Sequence, residues 1–299
     1  MNATRRVAII GVTGFVGRGL PALLADAGFA TTGYSRKGDG DVPGVDQWRR
    51  TGDYDFTGHH AIINLAGAPI DQRWTDENRR KFHESRVGVT TRIVEAIAKI
   101  PENARPEVLV NGSAVGYYGD RGDEILKESA RPGRGFLADL CSDWEDAAKD
   151  AESLGVRVVL LRTGIVMGNG GGTYERMRPI FKLGLGGPLG SGKQWMPWIH
   201  LADQRAAIVH AVTSATLAGP ANLTAPTPER NQDLTRMLGR SLHRPAIFPA
   251  PAFALRLVLG EFATAVLASE RAVPAALEAD GFQFKFPTLE TALADLAVK

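Results

Sequence analysis

The sequence predicts an α/β fold in which a doubly wound parallel sheet is followed by a smaller C-terminal mixed α/β region, and three observations predict it. First, the apolar run Val7-Ala8-Ile9-Ile10 passes directly into Gly11-Val12-Thr13-Gly14-Phe15-Val16-Gly17. This reads as a buried strand, a glycine turn and the start of a helix, the opening of a Rossmann-type domain. Second, strand-like and helix-period segments alternate through the first 165 residues, which argues for a parallel sheet with helices on both faces. Third, the polar clusters Asn64-Leu65-Ala66-Gly67 and Asn111-Gly112-Ser113-Ala114 each follow a strand-like run. That is where an open parallel sheet presents its ligands.

Taken in order, strands are expected near 5–10, 29–34, 60–65, 107–112 and 156–161, and helices near 15–28, 76–100, 136–154 and 202–217. Pro21 falls within the first helix and is expected to kink it. The stretch between the second and third strands is too short for a full strand–helix–strand excursion. After residue 165 the alternation fades into two glycine-rich loops, 168–172 and 184–192. We therefore divide the chain into a core, 1–165, and a substrate-side region with a C-terminal helical cap, 166–299, interleaved with the core. Residues 246–268 are apolar, but Pro249, Pro251, Arg256 and Glu261 interrupt them. Each central charge would cost about 2.5–3.5 kcal/mol in a bilayer, so a buried helical hairpin is expected rather than a membrane span.

Composition narrows the function classes. The chain carries 35 basic and 33 acidic residues with no long basic block, so nucleic acid is not an expected partner. A single cysteine, Cys141, excludes an internal disulfide and a cysteine-based zinc site, and no metal is expected. It fits a reducing cytoplasm. The N-terminus has no signal-peptide pattern. A homodimer is compatible with these features.

The glycine turn points to a dinucleotide. Gly11, Gly14 and Gly17 let the backbone approach a pyrophosphate, with Thr13, Phe15 and Val16 offering amides at the new helix end; the alternative is a turn that only joins strand to helix. An NAD site places a carboxylate at the end of the second strand to hold the ribose hydroxyls. Here Ser35-Arg36-Lys37 stands in that place. A guanidinium fork and an ammonium suit a 2′-phosphate, so NADP(H) is expected over NAD(H). Gly187 to Lys193 spells a phosphate-loop pattern, but Gln194 stands where Ser or Thr must bind magnesium. A flexible loop over the substrate is the better account.

With these residues in place, the chain resembles the extended short-chain dehydrogenase/reductase superfamily. More narrowly, it looks like the epimerase/dehydratase-like subgroup that ends in a small domain of unknown function. The narrower likeness rests on Asn64 to Gly67 with Ile70, Arg73 and Trp74, on Ser85-Arg86, and on Ser113-Ala114-Val115-Gly116-Tyr117-Tyr118-Gly119. It continues through Leu161-Arg162-Thr163-Gly164, Gln194-Trp195, Trp198-Ile199-His200, Gly260-Glu261 and Gly281-Phe282. The resemblance implies that Leu65, Ala66 and Gly67 line the adenosine side and that Arg86 belongs to the cofactor site. It implies that Arg162, Gly164 and Val166 approach the nicotinamide, and that Ser113 bonds a substrate carbonyl or hydroxyl.

The superfamily's catalytic tyrosine and lysine, four residues apart on one helix, are missing. The matching helix places Cys141 and Glu145 there, still on one face. A neighbouring carboxylate raises a thiol's pKa and favours its neutral form. Cys141 would then donate a proton, and Glu145 would accept bonds from ribose hydroxyls. The alternative is a small buried residue beside a solvated charge. Tyr117 and Tyr118 are a second proton source or an aromatic lining. On the substrate side, Gln194, Trp195, Trp198 and His200 cluster, with Trp rings suited to flat ligands or sugar faces. Arg73 would suit an anionic group, with Trp74 beside it. Two functions stay open: an NADP(H)-dependent oxidoreductase or epimerase acting on a small polar molecule, with a sugar or nucleotide-sugar implied by resemblance alone, and a non-enzymatic NADP(H)-binding redox sensor or scaffold.

Overall fold

The computed structural model describes residues 5–298. Seven parallel strands form the main sheet: β1 (Arg6–Ile10), β2 (Ala30–Ser35), β3 (Gln47–Arg50), β4 (His59–Asn64), β5 (Val108–Ala114), β6 (Arg157–Thr163) and β7 (Gly219–Leu223). Their spatial order is β7-β6-β5-β4-β1-β2-β3. The chain winds outward from β1 to β3, then returns to the other side of β1 with β4. The crevice at the carboxyl ends of β1 and β4 is therefore the topological switch point, where such sheets bind ligands.

Alternate residues of the central strands enter opposite layers, as the two-residue period of a strand requires. Val7, Ile9, Ile63, Val110 and Leu161 pack on α1 (Leu20–Asp26) and, further along the chain, on a helix at Leu201–Thr213. Ala8, Ile10, Ile62, Leu109 and Leu160 face the other layer, which includes Ile93, Ile97 and Ala148. That layer contains α2 (Asp76–His83), α3 (Val89–Ala98) and α4 (Phe136–Lys149). A third apolar cluster, including Met167, Tyr174, Trp198, Leu234, Phe286 and Leu293, lies among α5 (Gly172–Lys182), α7 (Asn231–Ser241) and a terminal helix at Leu289–Val298. The Leu201–Thr213 helix, α6, and β7 return to the main sheet, so chain from beyond residue 165 completes the first layer.

Several expectations change here. Two sheet strands escaped the sequence reading. Strand β3 is a short, charged edge strand that follows β2 without a helix, and β7 begins Gly-Pro, which is tolerated at an edge. The first helix starts late, as a 3-10 turn at Gly17–Gly19 leading into α1. Pro21 therefore sits in the first turn, where no amide donor is needed, and kinks nothing. The expected 76–100 helix is interrupted by a π-helical turn, Glu84–Gly88, between α2 and α3. The 246–268 segment does form short helices, α8 (Ala252–Leu259) and α9 (Ala263–Leu267), but the hairpin is not buried. Phe253, Leu257 and Val258 are 74%, 78% and 69% exposed, because no other described element covers that face of α8. Among the described residues no helix is long and apolar enough to cross a membrane.

Candidate functional site

The glycine turn lies at the switch point. Gly11 has φ +87°, and a side chain there would press within 3.0 Å of the Leu65 carbonyl. A Cβ on Gly17 would run into the Gly11 carbonyl oxygen. The loop closes through Gly14 N–H to Gly11 O at 3.0 Å and Arg18 N–H to Gly14 O at 3.0 Å. Arg205, on α6, braces it from behind, donating to the carbonyls of Phe15 at 2.7 Å and Val16 at 2.9 Å. With those carbonyls held by Arg205, the backbone of Thr13 to Gly17 keeps one shape. Leu65 is tied to β1 by its own N–H to Ile10 O at 2.9 Å, so the Leu65–Gly67 and Gly11–Gly17 loops share one crevice.

Ser35 ends β2, and its hydroxyl shapes the next turn by donating to Asp39 O at 2.6 Å and accepting from Gly38 N–H at 3.0 Å. This leaves Arg36 and Lys37 exposed. Arg50, paired in register with Ser35 on β3, adds a third exposed cation that the sequence reading missed along with its strand. The residues fit a phosphorylated dinucleotide: a cradle that any Cβ would fill, and cations where an NAD site has a carboxylate.

Arg86 lies in the π-helical turn beneath the Gly67 loop. It donates to Ala68 O at 3.0 Å and stacks 5.3 Å from the Trp144 ring. Burial without a carboxylate partner pushes its pKa down. A cation in that state gains from an anionic ligand. Nearby, Asn64 bridges Thr90 at 3.0 Å and Asn111 at 2.7 Å and accepts from Ala66 N–H at 3.2 Å, which shapes the loop.

At the ends of β5 and β6 the arrangement departs from expectation. The Glu145 carboxylate is fully buried and receives both arms of Arg162, each at 2.8 Å, as well as the Ser113 hydroxyl at 2.7 Å. Arg162 also donates to Tyr118 Oη at 3.0 Å, and Tyr118 in turn donates to Asn222 Oδ1 at 2.7 Å. The Tyr117 ring lies 3.6 Å from the Arg162 guanidinium. Glu145 is thus committed within the protein and is not available to ribose hydroxyls, since a buried carboxylate without Arg162 would be uncompensated. Arg162 is 3% exposed and spends its charge on Glu145 rather than on a nicotinamide. Tyr118 is wholly buried, and burial pushes its phenol up to about 12, so it is an internal strut rather than an open proton source. Cys141 does keep a neutral thiol: burial first, then the Glu145 charge, push it up to about 12. Thr163 is bonded by Gln204 at 3.2 Å, and a side chain at Gly164 would strike the Pro197 backbone.

The expected substrate residues separate into two groups. Trp74 lines a cavity, its ring 5.1 Å from Phe136 and its indole N–H bonded to Ile70 O at 2.9 Å. Arg73 is exposed and outside that lining; Arg79 and Arg134 stand there instead. Both come from segments that only the tertiary fold brings together. Trp198 is wholly buried and bonds Thr227 O, and Gln194 bonds Leu189 O at 3.0 Å. His200 caps α6 by accepting from Ala202 N–H at 3.1 Å and packs 4.0 Å from Phe286. These three belong to the C-terminal core and not to a ligand surface. Trp195 is held between Arg230 and Arg271, at 4.6 and 4.4 Å, and bonds Asp123. The 187–193 loop is stitched down rather than free, with Gly190 N–H on Ala250 O and Leu189 N–H on Asn231 Oδ1. No group of His, Cys, Asp and Glu among the described residues could hold a metal ion.

Residues 7–222 match the NAD dependent epimerase/dehydratase family over most of the chain. The chain belongs to that family. Residues 250–296 match a domain of unknown function, DUF1731. The chain is 40% identical over 292 residues to the epimerase family protein Mb2239 of Mycobacterium bovis, covering 96% of each. Among solved structures it is similar to the human epimerase family protein SDR39U1, crystallised with NADPH, at 31% identity and TM-score 0.89, covering 98% of this chain and 99% of that one. A nucleoside-diphosphate sugar epimerase from Corynebacterium glutamicum matches at 31% identity and TM-score 0.80, covering 99% of this chain and 58% of that one.

Proposed function

We propose that this protein is an NADP(H)-dependent oxidoreductase of the epimerase/dehydratase family acting on a small polar molecule. The observation that carries the reading is the glycine cradle at the switch point, flanked by Arg36, Lys37 and Arg50 with no carboxylate at the end of β2. The human relative crystallised with NADPH supports it. Backbone amides of Thr13, Phe15 and Val16 would receive the pyrophosphate, helped by Arg86, and Arg36, Lys37 and Arg50 the 2′-phosphate. Leu65 to Gly67 would cover the adenosine side, and Gly164 to Val166 the nicotinamide side. When bound, NADPH supplies a hydride. The protein orients the reactants and excludes water, and Cys141, held neutral, keeps a proton near the reacting centre. A sugar or nucleotide-sugar substrate is the finer form of the proposal, supported by the named epimerase. A cytoplasmic location and a homodimer belong to the same reading; sedimentation velocity decides the latter.

The test is a fluorescence titration of NADPH and NADH against wild type and Arg36→Ala. A charge-assisted phosphate bond contributes roughly 1.5–3 kcal/mol, so NADPH affinity should fall about 10- to 100-fold in the variant while NADH binding stays level. Absence of binding by either nucleotide would sink the proposal. Cys141→Ala should then slow turnover in a carbonyl screen.

One observation favours a second reading. Where the superfamily keeps a titratable pair open to its ligands, this chain has a closed buried ion pair. A non-enzymatic NADP(H) sensor would show binding and a redox-dependent shape change with no turnover on any carbonyl compound.

A further inference from the structure

A cavity of about 370 Å³ opens between α2, the 116–138 segment and the 261–270 segment that contains α9. Its walls are mostly apolar, formed chiefly by Trp74, Phe136, Leu137, Ala265 and Ala268. Charged groups face it from several elements. Arg79, on α2, stacks 4.3 Å from Phe136 and is ion-paired with Glu261, so its charge is already matched. Arg134, at the rim, has no carboxylate partner among the described residues. Asp120 and Glu270 stand in the same wall, and Cys141 of α4 lies close enough to feel the Glu270 charge.

The Glu270 side chain starts from a fixed backbone. Its N–H bonds Trp195 O at 3.2 Å, and the adjoining Ser269 bonds Asp120 through N–H at 3.2 Å and Gly122 O through its hydroxyl at 2.6 Å. No donor among the described residues serves the Glu270 carboxylate, and the next residue, Arg271, is turned onto Trp195. A carboxyl against apolar walls, beside a like charge and without a donor, favours its neutral form. Burial first and Asp120 second push it up to about 8.

We propose that this cavity receives a small organic acid whose ring lies on Trp74 and Phe136, whose carboxylate pairs with Arg134, and whose hydroxyl or carbonyl oxygen hydrogen-bonds the Glu270 carboxyl. The apolar walls call for a flat-faced body, which an aromatic ring or the apolar face of a sugar ring supplies. The single unmatched guanidinium calls for one anionic end. The neutral carboxyl is a donor that a carboxylate in its place would not be. The proposal rests on the oxidoreductase reading for the fate of this ligand, but its binding is measured without the nucleotide.

The experiment is calorimetric titration of the full chain with 4-(hydroxymethyl)benzoate and with D-glucuronate at pH 6 and pH 9. The wild type should bind at least one of them at pH 6 and about tenfold more weakly at pH 9, as the neutral fraction of Glu270 falls. Glu270→Gln should bind equally at both pH values, and Arg134→Ala should lose at least tenfold at both. 4-(Hydroxymethyl)benzoate alone binding would assign an aromatic acid, and D-glucuronate alone a sugar acid. Carbon-13 NMR of the wild-type carboxyl groups adds a readout independent of binding: one glutamate should titrate near pH 8, and its midpoint should drop in Asp120→Asn. Binding of neither acid, the same pH dependence in wild type and Glu270→Gln, or no carboxyl titrating above pH 6 would each overturn the proposal. NADPH binding separates the two readings. Glu270→Gln keeps it if only this proposal fails, and its absence in the wild type sinks the cofactor reading while leaving acid binding measurable.

Discussion

Glu145 and Arg162 show how one residue pair can carry more consequence than its neighbours. Their side chains are 1% and 3% exposed, and the carboxylate is also bonded by Ser113. Removing one charge leaves the other buried and unmatched, which costs about 3–5 kcal/mol. Glu145→Gln should therefore lower the unfolding free energy by about 3–5 kcal/mol, read as a lower urea midpoint with an unchanged slope. Replacing both residues by leucine should restore part of the loss, because no orphan charge remains. A Glu145→Gln protein as stable as wild type would mean that the cluster is solvated in solution. The spacing of Cys141 and Glu145 on α4 was legible in the sequence; the partner of Glu145 was not, because Arg162 lies on a different element, strand β6.

At the scale of elements, α6 acts on the nucleotide crevice although about 190 residues separate it from the β1 loop. Arg205 donates two bonds to the Phe15 and Val16 carbonyls, and a side chain on Gly19 would collide with its guanidinium. Each such bond contributes about 0.5–1.5 kcal/mol net. Arg205→Ala should lower stability by about 1–3 kcal/mol and weaken NADPH binding about three- to tenfold, read by thermal unfolding and nucleotide fluorescence in parallel. Loss of stability with unchanged nucleotide affinity would reduce Arg205 to a packing residue. Strand β3 makes the same point in reverse. It brings Arg50 alongside Ser35, yet its four residues carry no strand period that a sequence reading could use.

For the whole molecule, pH dependence gives the clearest expectation. Burial first, and the Asp120 charge second, push the Glu270 carboxyl up to about 8 in the folded protein, against about 4.3 in an unfolded chain. The folded state binds the proton more tightly, so the stability linked to Glu270 is complete below the unfolded value. It falls as pH rises through the interval and levels off beyond pH 8. Melting temperatures of wild type and Glu270→Gln should therefore diverge between pH 5 and pH 8, with the wild type losing more. Parallel curves would show that the carboxyl is solvated. A similar long-range tie holds the C-terminal segment: Asp203 of α6 accepts from the N–H groups of Lys285 at 2.8 Å and Phe286 at 2.9 Å.

The sequence by itself determined five of the seven sheet strands, the glycine turn and the basic residues after β2. Each is a local property: a run of β-branched residues, a turn that needs glycine, a charge at a fixed offset along one strand. The tertiary structure decided what each polar side chain does with its hydrogen bonds. Trp198 and His200 look like ligand residues in the chain, yet they serve the C-terminal core, because α7 and the terminal helix close over them. Arg79, Arg134 and Glu270 share one cavity although about 190 residues separate the first from the last. Burial and partner choice depend on contacts between distant segments, and no periodicity along the chain encodes them.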